Sequence, residues 1–197
     1  MLKGKKIGFI ITDSFYDFQK IIPKIKELIK RGAKIMPIIS INTQNEKVNK
    51  FIEEIKDVTS SSPINSIEEA INVSADIMVI APCNGNTIAK LANNIEDTPG
   101  TAAIQSHLKN ENNVIIAIAA NNALSTNAVN IGILLNRKHF YFVPIRQSNP
   151  LTKPYSLSFD IEYLISTIEY AIHEKQIQPM LLWNIFSFFK IKYWQEH

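Results

Sequence analysis

The sequence predicts a three-layer α/β domain, in which a doubly wound parallel sheet carries helices on both faces. Three observations predict it. Short runs such as Lys6–Thr12 are almost continuously apolar, as strands buried on both faces are. Longer stretches between them repeat apolar residues every three to four positions, the spacing of a helix with one buried face. The two patterns alternate along the chain without internal repeats or low-complexity linkers, which points to one domain over 1–180. Residues 181–197 read separately, as an aromatic tail.

The elements follow in order. After the strand Lys6–Thr12, residues 15–31 place Phe18, Ile21, Ile22, Ile25, Leu28 and Ile29 at helical spacing. Pro23 inside this run predicts a kink or a late helix start, and Gly32 a left-handed cap. A second strand spans 33–40. A polar stretch then holds a helix over 48–55 and a loop at Ser60-Ser61-Ser62-Pro63. Ser66 with Glu69 forms a capping box for a short helix. The third strand covers 76–81, ended by Pro82, and helices follow over 87–94 and 99–109. A fourth strand spans 114–119, a helix 126–135, a fifth strand 140–143 ended by Pro144, and a last long helix 161–176.

Composition narrows the function classes. With 46% hydrophobic and 20% charged residues, the 197-residue chain is neither a disordered acidic segment nor a basic nucleic-acid binder. Its excess of 21 basic over 18 acidic residues is dispersed. Cys83, the single cysteine, excludes an internal disulfide and has no ligand cluster around it for zinc, so no metal is expected. The run Ile7–Ile11 is too short for a signal peptide and is interrupted by Asp13. No stretch approaches the roughly 20 apolar residues of a membrane span. The expectation is a soluble, cytoplasmic protein.

In a Rossmann-like sheet, ligands bind beyond the carboxyl ends of the strands, near the point where strand order switches. Four loops occupy such positions: Thr12-Asp13-Ser14, Ser40-Ile41-Asn42, 81–87 and 120–125. They are rich in hydroxyls and amides, and none carries a phosphate-loop lysine or a GxGxxG run. Such loops suit a neutral donor-and-acceptor ligand, while the helix N-termini behind them favour a phosphate. As helix caps and turn formers, the same asparagines and serines have a purely structural alternative; for the third loop it is a strand-loop-helix with Asn86 as N-cap. Cys83 reads as a packed or lining thiol rather than a nucleophile, since no histidine is near it in sequence.

The third loop and the helix after it, APCNGNTIAKLANNIED, resemble the signature of the homo-oligomeric flavin-containing cysteine decarboxylases, where an AP-x-x-x-NT-x-x-K-x-A stretch lines FMN. The matching residues are Ala81, Pro82, Asn86, Thr87, Lys90, Ala92 and Asp97. Six collinear segments are similar to the dipicolinate synthase B-subunit family: LKGKKIGFIITDS, KRGAKIMPIIS, APCNGNTIAKLANNIEDTP, NALSTNAVNIG, FYFVPIRQSNPLTKPYS and HEKQIQPML. Together they cover about residues 2–182.

The resemblance implies a flavoprotein fold, FMN as cofactor and a homo-oligomer. It also implies a partner, the dipicolinate synthase A-subunit, which is a dinucleotide-dependent dehydrogenase. The pair would oxidise a dihydrodipicolinate-type small molecule to dipicolinate in the mother cell of a sporulating bacterium. It assigns Thr12, Ser14 and Ser40 to the FMN phosphate or ribityl chain. Pro82, Asn84, Asn86 and Thr87 would contact the flavin end or the ribityl hydroxyls, and Asn121, Asn122 and Ser125 would form the fourth wall. No catalytic residue is assigned.

Decarboxylation or flavin prenyl transfer within the same superfamily are the alternatives, as is a non-catalytic partner of the dehydrogenase. Residues 41–75 lack the histidine of the decarboxylase branch, and Ala119-Ala120-Asn121-Asn122 replaces its Pro-x-Met-Asn segment. The chain also departs from the B-subunit pattern. Asp13 stands in place of glycine, Asn122 in place of aspartate and Ser125 in place of glycine. Arg146, Ser148 and Asn149 replace an otherwise acidic Gly-Gln-Asp-Asp pattern in which Gln147 survives. The tail, dense in Trp183, Phe186, Phe188, Phe189, Tyr193 and Trp194, reads as a segment that packs between copies, with membrane-interface association as its alternative.

Overall fold

A computed structural model describes residues 2–12, 18–41 and 46–183. Strands β1 (Lys6–Thr12), β2 (Lys34–Ser40), β3 (Ile77–Cys83) and β4 (Val114–Ala120) form the parallel centre of a seven-stranded sheet, in the order β2-β1-β3-β4. Their burial is nearly complete, and that accounts for runs such as IMVIAPC having no polar alternation. β1 pairs with β2 in register from Lys6–Lys34 to Thr12–Ser40, so the second strand starts one residue later than expected.

Helix α1 (Ile21–Lys30) begins late, after a 3-10 turn at Phe18–Lys20. Pro23 therefore sits in the first turn, where its missing N–H costs nothing. Gly32 closes the helix at φ +89°. The helix buries Ile21, Ile22, Ile25 and Leu28. Helix α2 (Glu46–Thr59) is longer than its weak periodicity predicts. Ser66 accepts from the Glu69 N–H and starts the one-turn helix α3 (Ile67–Ala70). Helices α4 (Gly85–Ala92) and α5 (Pro99–Leu108) join β3 to β4, and α6 (Ala128–Leu135) leads to the short parallel strand β5 (Phe140–Phe142).

Three expectations are corrected. Pro82 does not end the third strand, because the register between β3 and β4 shifts between Ile80 and Cys83 and takes the proline out of the regular ladder. The sheet is also not wholly parallel. Strands β6 (Ile145–Asn149) and β7 (Lys153–Phe159) form an antiparallel hairpin. Its β7 pairs with Ala119 and Ala120 at the end of β4, while β5 pairs with the start of β4. Finally, the last helix is α7 (Leu164–Ala171), preceded by a 3-10 turn at Ile161–Tyr163 and ending well before Gln176. Gln176 instead bonds both backbone groups of Phe142: Oε1 accepts from its N–H, and Nε2 donates to its carbonyl, each at 2.7 Å.

Other single residues lie along the sheet's rims in the same manner. Ile64 donates to the Pro37 carbonyl and accepts from the Ile39 N–H beside β2. Ile145 of β6 donates to the Met180 carbonyl and accepts from the Leu182 N–H. Residues 184–197, most of the aromatic tail, lie outside the described residues. Among the described residues, no helix is long and apolar enough to cross a membrane.

Candidate functional site

The strand order switches beside β1, whose neighbours are β2 on one side and β3 on the other. A buried hydrogen bond joins the carboxyl ends of β1 and β3: the Thr12 hydroxyl donates to the Pro82 carbonyl at 2.8 Å. The Ala81–Pro82 peptide is cis, and Pro82 and Cys83 are buried. Burial pushes the Cys83 thiol pKa far up, so it is a packed core group, as expected.

Two helix N-termini converge on this edge. Asn84, not Asn86, caps α4: its side chain accepts from the Thr87 N–H at 2.8 Å. Thr87 is thereby buried, and Asn86 is left exposed. Thr98 and Thr101 form a capping box for α5. The first turn of α5 lies against β1 and β2, where a Cβ on Gly100 would meet Ile10 at 2.7 Å and Ser40 at 3.0 Å. First-turn N–H groups lie beyond the reach of helix carbonyls and carry the positive end of the dipole.

An amide network closes the fourth loop onto the start of α6, and the third loop packs against it. Asn127 Nδ2 donates to Asn122 Oδ1 at 3.0 Å, Asn122 Nδ2 to the Thr126 hydroxyl at 3.1 Å, and Asn130 Nδ2 to Asn127 Oδ1 at 2.9 Å. The Cα of Gly85 lies against this network, since a Cβ there would stand 2.5 Å from Asn122 Oδ1. Ser125 donates to the Asn122 carbonyl. Asn121 is exposed, and its Oδ1 accepts from Ser156 of β7, which is bonded in turn to Ser148 of β6.

The structure thus gathers Thr12, Pro82, Asn84, Asn86 and Thr87 around the switch point, with Ser40 beside them on β2. Asn122 and Ser125 direct their polar groups into their own turn, and Asn121 is held by the hairpin. Ser14 lies outside the described residues, as do the other residues of 13–17 and 42–45. Sequence reasoning passed over Gly85, Gly100, Asn127 and Ser156, whose roles depend on close approach between separate elements. It also left Lys90 and Asp97 of the signature without roles; they form an ion pair at 2.9 Å across the α4–α5 connection.

A further concavity lies between α1 and the base of the hairpin. Lys20, Pro23 and Lys24 form one wall, Arg146 and Ser158 the other, and Phe159, Asp160, Ile161 and Glu162 complete it. At the opposite edge of the sheet, buried His107 bonds the Asn113 carbonyl through Nε2 at 3.1 Å, and burial lowers its pKa.

The flavoprotein family model matches residues 1–156. The chain is 34% identical over 192 residues to the dipicolinate synthase B-subunit of Bacillus subtilis (strain 168), covering 93% of this chain and 96% of that protein. The chain belongs to the dipicolinate synthase B-subunit family of flavoproteins. The crystal structure of the dipicolinate synthase B-subunit from Bacillus halodurans C superposes with a TM-score of 0.86 at 33% identity, over 93% of this chain and 99% of that one. The FMN-dependent cysteine decarboxylase SpaF shares the fold at 20% identity, with a TM-score of 0.67 over 88% of this chain and 99% of its own. For a B-subunit family member, the three-layer α/β architecture is as the sequence predicts. The hairpin on β4 is what the sequence pattern did not reveal.

Proposed function

We propose that this chain is the FMN-holding B-subunit of a dipicolinate synthase. With the dehydrogenase A-subunit, it would oxidise a dihydrodipicolinate-type intermediate to dipicolinate in the cytoplasm of a sporulating mother cell. The observation that carries this reading is the end-to-end similarity to a named B-subunit, over 93% of one chain and 96% of the other. A shared motif on a common fold would not extend so far.

The residues at the carboxyl edge fit the cofactor chemically. Two helix N-termini suit a phosphate, and the predicted site residues are uncharged hydroxyls and amides, with proline, that satisfy ring acceptors and an imide N–H alike. The first turns of α4 and α5, with Ser40 and Ser14, would hold the phosphate end. The Thr12–Pro82 bond, which joins the two strand ends, would lie beneath it. Asn86 and Asn121 would orient the ring, Asn121 being steadied by Ser156. When bound, the flavin supplies two-electron oxidation. Val129 and Ile133, one turn apart on α6, are exposed apolar side chains that suit assembly of several copies.

Titration of the purified chain with FMN, followed by visible absorbance, tests the cofactor. Co-expression with the dehydrogenase from an adjacent gene, assayed for dipicolinate with and without FMN, tests the reaction. Saturable flavin uptake and flavin-dependent dipicolinate formation are expected. A chain that never takes up FMN refutes the cofactor assignment. Release of CO₂ in place of dipicolinate would make it a decarboxylase, and full synthesis with flavin-free protein a non-catalytic partner.

A further inference from the structure

The outer edge of β6, the last strand in the sheet order, is occupied at one residue and open at the next. Pro144 accepts from the Asp160 N–H at 2.8 Å on the β7 side. Ile145 turns outward, donating to the Met180 carbonyl at 2.9 Å and accepting from the Leu182 N–H at 2.8 Å. Backbone groups alternate in direction along a strand, so Arg146 turns inward to Ser158 and Gln147 outward again. The register shift that follows puts its extra residues on β7, which leaves β6 regular at Gln147. Among the described residues, no hydrogen bond meets the outward N–H and C=O of Gln147.

The segment that occupies Ile145 is in register to occupy Gln147. Leu181 pairs with Ile145 in parallel, which sets Trp183 opposite Gln147 and Asn184 opposite Ser148. In that register the Gln147 N–H donates to the Leu182 carbonyl, and the Asn184 N–H donates to the Gln147 carbonyl. The sequence from there has the period of a strand. Leu181, Trp183, Ile185, Phe189, Ile191 and Tyr193 share one face, interrupted by Ser187. The other face mixes Asn184, Lys190 and Lys192 with Phe186 and Phe188. Wound as a helix, the same residues would spread their aromatics all round. Trp, Phe, Tyr and Ile are also strand formers.

We propose that residues 183–185 extend the 180–182 pairing along β6 as a further parallel strand of the same molecule. The strand β6 runs parallel to β4, and Gln147 stands level with Ala120, since both pair with Leu157. Residues beyond Trp183 then rise past the carboxyl edge of the sheet, the end that carries the loops 81–87 and 120–125. The hairpin tip beside them bears exposed Leu151 and Tyr155, which suit contact with the aromatic residues that follow. The occupant of the edge is thus the chain's own tail, delivered to the end of the sheet where the candidate site lies.

Amide hydrogen exchange in the full chain, read residue by residue by NMR, tests this with two variants. Asn184→Pro and Ile185→Pro both hold the preceding residue extended. Asn184→Pro removes the N–H aimed at Gln147, whereas Ile185→Pro removes one aimed away from β6. The Gln147 amide of the parent should exchange about tenfold more slowly than in Asn184→Pro, and Ile185→Pro should keep that protection. A chain carrying Ser148→Cys and Asn184→Cys should oxidise to an intramolecular disulfide, because paired strands lie about 4.8 Å apart, within disulfide reach. Ser148→Cys with Phe188→Cys should oxidise far more slowly; buried Cys83 does not compete. The inference is overturned if the Gln147 amide exchanges as fast in the parent as in Asn184→Pro, or if both proline variants lose protection alike. It is also overturned if the two cysteine pairs oxidise at equal rates, or if the disulfide joins two chains, which would make the occupant a second copy's tail.

Discussion

Replacing Gly85 with alanine tests the joint between the third and fourth loops. The backbone φ of Gly85 is not in the left-handed region, so alanine meets no conformational barrier; the obstacle is space. The added methyl would stand 2.5 Å from Asn122 Oδ1 and 2.7 Å from Asn127 Nδ2, both closer than carbon contacts allow. Asn122 must swing away, and its bonds to Asn127 and Thr126 go with it. Two such bonds contribute about 1 kcal/mol each. Overpacking adds about 1–3 kcal/mol, and alanine's better helix propensity returns a few tenths. The expected cost is about 3–5 kcal/mol, a fall in melting temperature of roughly 6–20 °C for a chain of this size. Urea denaturation of the single and double variants gives the coupling. Gly85→Ala combined with Asn122→Ala should cost at least about 1 kcal/mol less than the two singles summed. Wild-type stability in Gly85→Ala, or strict additivity in the double variant, would refute the claim that the two loops are locked through this contact.

Two further outcomes are expected. Burial holds the His107 pKa below its usual 6.5, so the unfolded chain binds the proton more readily in that window. The stabilisation is complete above the unfolded value and is lost as the pH falls toward the folded one. Denaturation midpoints should therefore drop below about pH 6.5, and His107→Gln should flatten that slope. Arg137 closes the C-terminus of α4 by donating to the Leu91 and Ala92 carbonyls at 3.1 and 2.9 Å and to Asn94. Arg137→Ala should cost about 1–3 kcal/mol in urea titration, and Arg137→Lys less.

The parallel centre of the fold was legible because burial on both faces leaves an unmistakable pattern. Lys6–Thr12 falls within its expected bounds, and the Ser66 cap is where the side chain chemistry places it. The hairpin was not legible. IRQSN is short and polar, and KPYSLSF opens beside a proline, so neither carries the apolar run used to find the others. Pro82 misled for a different reason: a register shift lets a proline remain inside a strand, and such a shift belongs to two strands at once. At the site, residue type was readable but commitment was not. Asn84, Asn86, Asn121 and Asn122 are equivalent in sequence. One caps a helix, one is exposed, one is held by Ser156 and one is locked into a network. Only the neighbours distinguish them.

The single residues beside β2, β5 and β6 bear on how copies of this protein can associate. Ile64, the Gln176 amide and the 180–182 stretch each occupy ladder atoms that a foreign strand would otherwise seize. Pro37 additionally withholds a donor on the β2 side. At those positions a second molecule finds the ladder atoms already taken, and continuous sheet growth from chain to chain is discouraged there. Were copies to assemble as proposed above, they would meet through side-chain surfaces such as the outer flank of α6, where fit between shapes sets the number of copies and growth can stop at a closed ring.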